Sequence, residues 1–95
     1  MTSSKGAAVE LRVFPDYAAD PVWNDTRMVD LDSLPLSHAL VTALRGWARE
    51  WEALVGVEVA RYEIDDAVAH EAWQRQGRHL SRRLQSELGS TYSVQ

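Results

Sequence analysis

The stretch that decides the fold is LVTALRGWAREWEAL, residues 40–54. Its large apolar residues recur at spacings of four, three, four and three, which places them on one face of an α-helix. They are Leu40, Leu44, Trp47, Trp51 and Leu54. We expect the side chain of Ser37 to cap the amino end of this helix and Gly56 to terminate it.

A second amphipathic helix is predicted from Asp65 or Asp66, either of which can cap it, to Leu88. Its apolar face is formed by Ala69, Trp73, Gly77, Leu80, Leu84 and Leu88. Gly89 is expected to stop it. Because Gly77 lies on the apolar face, we expect it to allow a neighbouring helix or strand to approach closely.

Strands are predicted on both sides of the helices. Residues 7–14 alternate, with Val9, Leu11 and Val13 on one side, and Pro15 ends the pattern. Residues 91–94 alternate in the same way and are interpreted as a closing strand. The segment 57–64, VEVARYEI, suits either a short strand or a loop, and we interpret it as a loop.

The intervening residues 16–36 contain Pro21 and Pro35 and show no sustained period. They are interpreted as a long ordered connection. A connection of this length in a small domain is typically functional, unless it contains short elements of its own.

These elements predict an α+β fold in the order strand, long loop, helix, helix, strand. Two antiparallel helices would pack on one face of a small antiparallel sheet. Residues 1–6 would form a flexible tail, and residues 7–95 a single domain. A two-stranded sheet is marginal in water, so a strand from residues 57–64, or edge pairing into a homodimer, would complete it.

The composition indicates a cytoplasmic globular domain. The 95 residues are 45% apolar and 25% charged, and there is no cysteine for a disulfide framework or a thiolate metal site. No signal-peptide pattern opens the sequence, and no run approaches the length of a membrane span.

Charge divides the chain into two poles. Residues 13–37 contain five aspartates against Arg27 alone, whereas the second helix carries Arg75, Arg78, Arg82 and Arg83. Tyr17 and Trp23 lie within the acidic stretch, outside any periodic element. They either anchor the connection to the helices or contact a partner, as aromatic residues do in binding hot spots. The three other tryptophans, Trp47, Trp51 and Trp73, lie on helix stripes and are predicted core residues.

No pattern of catalytic or metal-binding residues emerges. The group of Asp25, Asp30 and Asp32 lacks the glycine and the terminal glutamate of a calcium loop. The histidines are not at helical metal-pair spacing. Ser37 next to His38 is better explained as a helix cap than as a nucleophile. We therefore assign no catalytic residue, no metal and no cofactor.

Three sets of motifs resemble a family of short bacterial proteins, mainly actinobacterial, whose function is uncharacterised. The motifs are FPDY at 14–17 with DPVW at 20–23, LDSLPLS at 31–37 leading to Trp47 and Trp51, and Gly77-x-x-Leu80 followed by LQSELG at 84–89. The resemblance covers most of residues 9–94. It implies a compact cytoplasmic domain and transfers no catalytic residue.

The leading hypothesis is a non-enzymatic protein-binding module, similar in size and charge to immunity proteins, that meets a basic partner surface. The predicted partner-binding residues are Asp16, Tyr17, Asp20, Trp23, Asp25, Asp30 and Asp32. One alternative is a small-molecule-binding or enzymatic domain with a pocket between the 15–36 loop and the helices, lined by Asp16, Tyr17 and Trp23. Another is nucleic-acid binding through the Arg75–Arg83 face; solvation of that face, with Glu71–Arg75 and Arg83–Glu87 pairs, explains its charges more simply.

Overall fold

A computed structural model of the chain describes residues 8–56 and 64–95. Its regular elements are strand β1 Val9–Val13, strand β2 Val22–Trp23, helix α1 His38–Val55, helix α2 Ala67–Leu88 and strand β3 Tyr92–Val94. Single 3-10 turns lie at Leu31–Ser33 and Gly89–Thr91. The predicted α+β class and the predicted order of strand, connection, two helices and closing strand are confirmed. The predicted tail 1–6 and nearly all of the segment 57–64 lie outside the described residues.

The sheet has the strand order β2-β1-β3 and is mixed. Val13 lies opposite Val22 in an antiparallel pair, whereas Val9 lies opposite Tyr92 in a parallel pair. The sequence predicts an antiparallel sheet, and the parallel pairing of β1 with β3 differs from it. The difference arises because β2 reverses the chain once more than the sequence predicted, so that β3 arrives parallel to β1.

Strand β2 lies within the stretch that the sequence presented as a long connection. Val22 is fully buried in it, and the chain then turns back so that Val29 N–H donates to the Val22 carbonyl at 2.7 Å. Met28 forms an isolated bridge with Trp23. The connection is therefore a short hairpin followed by a 3-10 turn.

The helices begin and end where the sequence predicted. The Ser37 hydroxyl accepts from Leu40 N–H at 3.2 Å, and Gly56 ends α1 in the left-handed region. Asp66 caps α2 by accepting from Ala69 N–H at 2.9 Å, and Gly89 follows its last residue. Within the described ranges, no helix is long and apolar enough to cross a membrane.

The two helices are antiparallel, since Ser37 at the start of α1 binds Glu87 near the end of α2. At the centre of their interface, the rings of Trp47 and Trp73 stack with centroids 4.3 Å apart. Each indole N–H donates to the backbone carbonyl of the other tryptophan at 2.9 Å. A Cβ on Gly77 would lie 2.6 Å from the Trp47 ring, so the predicted close approach at this glycine is confirmed.

Buried apolar side chains from the sheet, the loop and both helices form one core. The fully covered ones include Leu11, Val22, Leu31, Leu40, Leu44, Leu80 and Leu84. Trp47 and Trp73 belong to this core, and Trp51 is half-buried at its edge. The connection between β1 and α1 supplies Val22 and Leu31 to the core, which anchors it at two points.

Candidate protein-binding site

The loop between β1 and α1 lies along a row of charged side chains on α1, which we call the helix clamp. Its members are Arg45, Arg49 and Glu52. Spacings of four and three place them on one side of the helix. Arg49 and Glu52 also pair with each other at 2.9 Å. The clamp binds three consecutive residues of the loop, Ala18, Ala19 and Asp20.

The loop makes a turn at Tyr17 and Ala18, where Ala18 adopts a φ of 52°. For an L-residue this left-handed conformation costs about 1–2 kcal/mol. Ala18 N–H donates to Glu52 Oε2 at 2.8 Å, and the Ala19 carbonyl accepts from Arg49 Nη2 at 3.0 Å. These two bonds to the helix clamp hold the turn in its strained shape.

Asp20 is the most enclosed carboxylate of the loop, with its side chain 17% exposed. It accepts from Arg45 Nε at 3.0 Å and from Arg45 Nη2 at 3.1 Å, and also from Leu31 N–H at 3.1 Å. The hydrogen bonds from Arg45 lower the pKa of Asp20, against the opposing effect of burial. Asp20 therefore remains ionised and joins the loop to α1.

Asp30 and Asp32 lie near the same guanidinium, 3.5 Å and 3.3 Å from Arg45 Nη2. Their side chains are 63% and 71% exposed. The carboxylate of Asp30 also accepts from Asp32 N–H at 2.9 Å, which begins the 3-10 turn. With Asp20, three carboxylates share one arginine, so negative charge remains on the exposed pair.

The other two predicted aspartates lie apart from this group. Asp16 Oδ1 accepts from Tyr17 N–H at 2.8 Å, at the start of the strained turn. Asp25 is 77% exposed and lies 4.0 Å from Arg12 on β1. The structure thus gathers three of the five predicted aspartates around Arg45 and leaves two at separate points of the loop.

Both predicted loop aromatics contact another ring of the protein. Tyr17 contacts Trp51 with ring centroids 4.9 Å apart, yet remains 46% exposed. Trp23 stacks on Phe14 with centroids 5.0 Å apart and donates from Nε1 to the Phe14 carbonyl at 3.1 Å. The aromatics therefore anchor the loop and still present surface to solvent.

Sequence reasoning missed Phe14 and the helix clamp as parts of this site. Phe14 is 41% exposed and extends the aromatic surface beside Trp23. The signal for the clamp was present, because Arg45, Arg49 and Glu52 line one side of a helix that faces an acidic loop. What the sequence did not show was which loop atoms they bind.

A groove of about 360 Å³ runs between the end of β1 and α2. It is lined by Phe14, Pro15, Trp73, Gly77 and Arg78, among others, and not by the residues that we had expected to line a pocket. In residues 8–56 and 64–95, no three His, Asp or Glu side chains are grouped to hold a metal ion.

The charged side of α2 contains the predicted Glu71–Arg75 pair, in which Arg75 Nη1 lies 2.9 Å from Glu71 Oε1. Glu87 has another role, because its carboxylate accepts from the Ser37 N–H at 2.6 Å and from the Ser37 hydroxyl at 2.7 Å. These bonds, with a smaller contribution from Arg83, lower the pKa of Glu87. It fastens the end of α2 to the start of α1.

Comparison with known proteins gives one family. No curated protein matches the chain. A family model described as Serratia CdiI immunity protein-like matches residues 9–95, a range that includes all three sets of motifs behind the resemblance noted from the sequence. The chain therefore belongs to the Serratia CdiI immunity protein-like family.

Proposed function

We propose that this chain is an immunity protein that neutralises a toxin by binding it, and that its acidic loop meets a basic surface on that toxin. Family membership supports the immunity role. The observation that carries the choice of surface is the sharing of Arg45 by Asp20, Asp30 and Asp32.

Three carboxylates around one guanidinium leave a net charge of two negative units at this point of the loop. The excess faces solvent, because Asp30 and Asp32 are the exposed members and Asp20 is the enclosed one. Such a surface attracts a basic protein from solution and repels acidic ones. Asp16 and Asp25 extend the negative charge along the loop.

Tyr17 and Trp23 would supply the apolar part of the contact. Each is held by contact with another ring, so little side-chain freedom is lost when a partner covers its exposed part. The helix clamp fixes the backbone next to Tyr17 before any partner arrives. Fixed aromatics surrounded by charge are typical of residues that dominate binding energies.

The predicted residues therefore take two roles in this proposal. Asp20 positions the loop through Arg45. Direct contacts are assigned to Asp16, Tyr17, Trp23, Asp25, Asp30 and Asp32. Binding accounts for this role without a catalytic residue or a cofactor, and we place the encounter with the toxin in the cytoplasm.

Affinity capture from a lysate of the source cells tests this proposal. One variant carries Asn at Asp16, Asp25, Asp30 and Asp32, and a matched control carries Gln at Arg75, Arg78 and Arg82 on α2. We expect the wild type and the arginine variant to recover the same protein and the aspartate variant to lose it.

The captured protein is then produced in cells with and without the chain. We expect it to stop growth when it is produced alone, and growth to be restored by the wild type but not by the aspartate variant. Equal capture by all three proteins would remove the loop from the proposal, and a harmless captured protein would remove the immunity role.

A further inference from the structure

Among residues 8–56 and 64–95, strand β3 lies at the outer edge of the sheet and pairs with β1 alone. On the side of β1, Gln95 N–H donates to the Leu11 carbonyl at 2.8 Å. Backbone groups of neighbouring residues in a strand point to opposite edges. The Tyr92 carbonyl and the Val94 N–H therefore point away from β1, toward the open edge.

These two groups are bound by one side chain of α2. Gln85 Oε1 accepts from Val94 N–H at 2.8 Å, and Gln85 Nε2 donates to the Tyr92 carbonyl at 2.9 Å. The same Nε2 lies 3.0 Å from the Gly89 carbonyl. The amide of Gln85 thus offers the donor and the acceptor that the peptide groups of an adjacent strand would offer.

Strand β3 itself carries neither a charge nor a proline among Tyr92, Ser93 and Val94, two of the features that protect an edge strand. The opposite edge of the sheet is protected differently. There the chain itself folds back, and Val29 N–H binds the Val22 carbonyl. Among the described residues, the side-chain hydrogen bonds to this edge of β3 come from Gln85 of α2.

We propose that Gln85 keeps the chain from pairing with a second copy of itself, and that loss of its amide opens the edge of β3 to the β3 strand of that copy. An antiparallel arrangement about a two-fold axis would place Tyr92 of each chain opposite Val94 of the other. The Tyr92 carbonyl and the Val94 N–H then satisfy each other across the axis, so the edge is self-complementary. In the wild type the Gln85 amide prevails, because it binds without the entropy loss of association.

The variant Gln85→Met tests this, since it keeps the length and the apolar stem of the side chain while removing both hydrogen bonds. Sedimentation equilibrium over a range of concentrations measures the self-association. We expect a monomeric wild type and a dimerising variant, with association tightened by about tenfold to hundredfold for two bonds of ordinary strength. Gln85→Asn, whose amide is one methylene shorter, should dimerise in the same way.

Gln85→Glu is the matched control. It has the same length, but its charge at the edge repels a second copy, so we expect it to remain monomeric. The proposal is overturned if folded Gln85→Met and Gln85→Asn stay monomeric, or if the wild type dimerises as tightly as they do. Assembly beyond the dimer would contradict the two-fold arrangement.

Discussion

Helix α1 makes contacts on two sides, one through apolar side chains and the other through charged side chains. One side presents Trp47 to α2, where it stacks on Trp73 and both rings are more than nine-tenths buried. The other side presents the helix clamp to the loop, with the side chains of Arg45 and Arg49 39% and 49% exposed. The contact between the tryptophans excludes water, whereas the contact between the helix clamp and the loop is partly exposed to solvent.

The buried contact with α2 therefore stabilises the fold, whereas the exposed contact with the loop positions the proposed binding surface. Buried stacking contributes about 0.5–1.5 kcal/mol beyond the area that it removes from water, and it does not depend on salt. Exposed ion pairs contribute about 0–1 kcal/mol each and weaken with salt. The clamp therefore shapes the loop more than it stabilises the domain.

The largest expected change in the free energy of unfolding comes from a substitution at the apolar interface between α1 and α2. Gly77→Ala places a Cβ 2.6 Å from the Trp47 ring, and the ring cannot move without breaking its hydrogen bond to Trp73. We expect the free energy of unfolding to fall by about 3 kcal/mol, at the upper end for overpacking. Urea unfolding measures it.

Gly46→Ala on α1 is the control for that substitution. An added Cβ there meets no atom within 4 Å. The variant should be more stable by about 1 kcal/mol, the ordinary gain in helix propensity. Equal effects at the two glycines would show that the helices do not approach as closely as described.

A smaller loss of stability is expected at the contact between the helix clamp and the loop. Asp20→Asn removes the charge that Arg45 binds, and we expect a loss of about 1 kcal/mol at neutral pH. Because the pKa of Asp20 is lowered in the folded chain, its contribution is complete above the unfolded value near 3.8 and disappears as the pH falls through the folded value. The wild type should therefore lose its advantage over the variant below about pH 4.

Urea unfolding at neutral pH and at several acidic values follows this change. Asp25→Asn is the matched control, since Asp25 is 77% exposed and 4.0 Å from its cation. Its effect should remain within about 0.5 kcal/mol at every pH. An Asp20→Asn variant that behaves like the control would contradict a structural role for the Asp20–Arg45 pair.

The smallest effect concerns the strained turn. Ala18→Gly relieves the left-handed conformation, and this relief offsets the added freedom of the unfolded chain, so stability should remain within about 0.5 kcal/mol of the wild type. Ala19→Gly gains no such relief, because among the described non-glycine residues only Ala18 has a positive φ. It should lose about 0.4–1 kcal/mol. A larger loss at Ala18 than at Ala19, by thermal unfolding, would contradict the strain.

Features with a local period could be predicted from the sequence. The apolar stripe from Leu40 to Leu54 predicted α1. The position of Gly77 on the apolar face of the second helix predicted the close approach of the two helices. Ser37 and Gly56 marked the ends of α1 because capping chemistry is local.

Features set by distant contacts could not be predicted. Strand β2 has two residues, which is too short for any period, and missing it reversed the expected direction of β3. Asp20 lies 25 residues from Arg45 in the chain, and Ala18 lies 34 residues from Glu52. The aspartates were visible in the sequence, but the division between enclosed Asp20 and exposed Asp30 and Asp32 depends on the tertiary fold.

The affinity of the captured toxin for three forms of the chain tests whether the acidic loop is the binding surface. The forms are the wild type, the variant with Asn at Asp16, Asp25, Asp30 and Asp32, and the variant with Gln at Arg75, Arg78 and Arg82. Titration calorimetry at low and high salt should give about 100-fold weaker binding for the aspartate variant at low salt, at roughly 0.7 kcal/mol per lost charge pair. The arginine variant should bind as the wild type does, and high salt should narrow the difference. Unchanged affinity of a folded aspartate variant, or a loss confined to the arginine variant, would contradict the proposed surface.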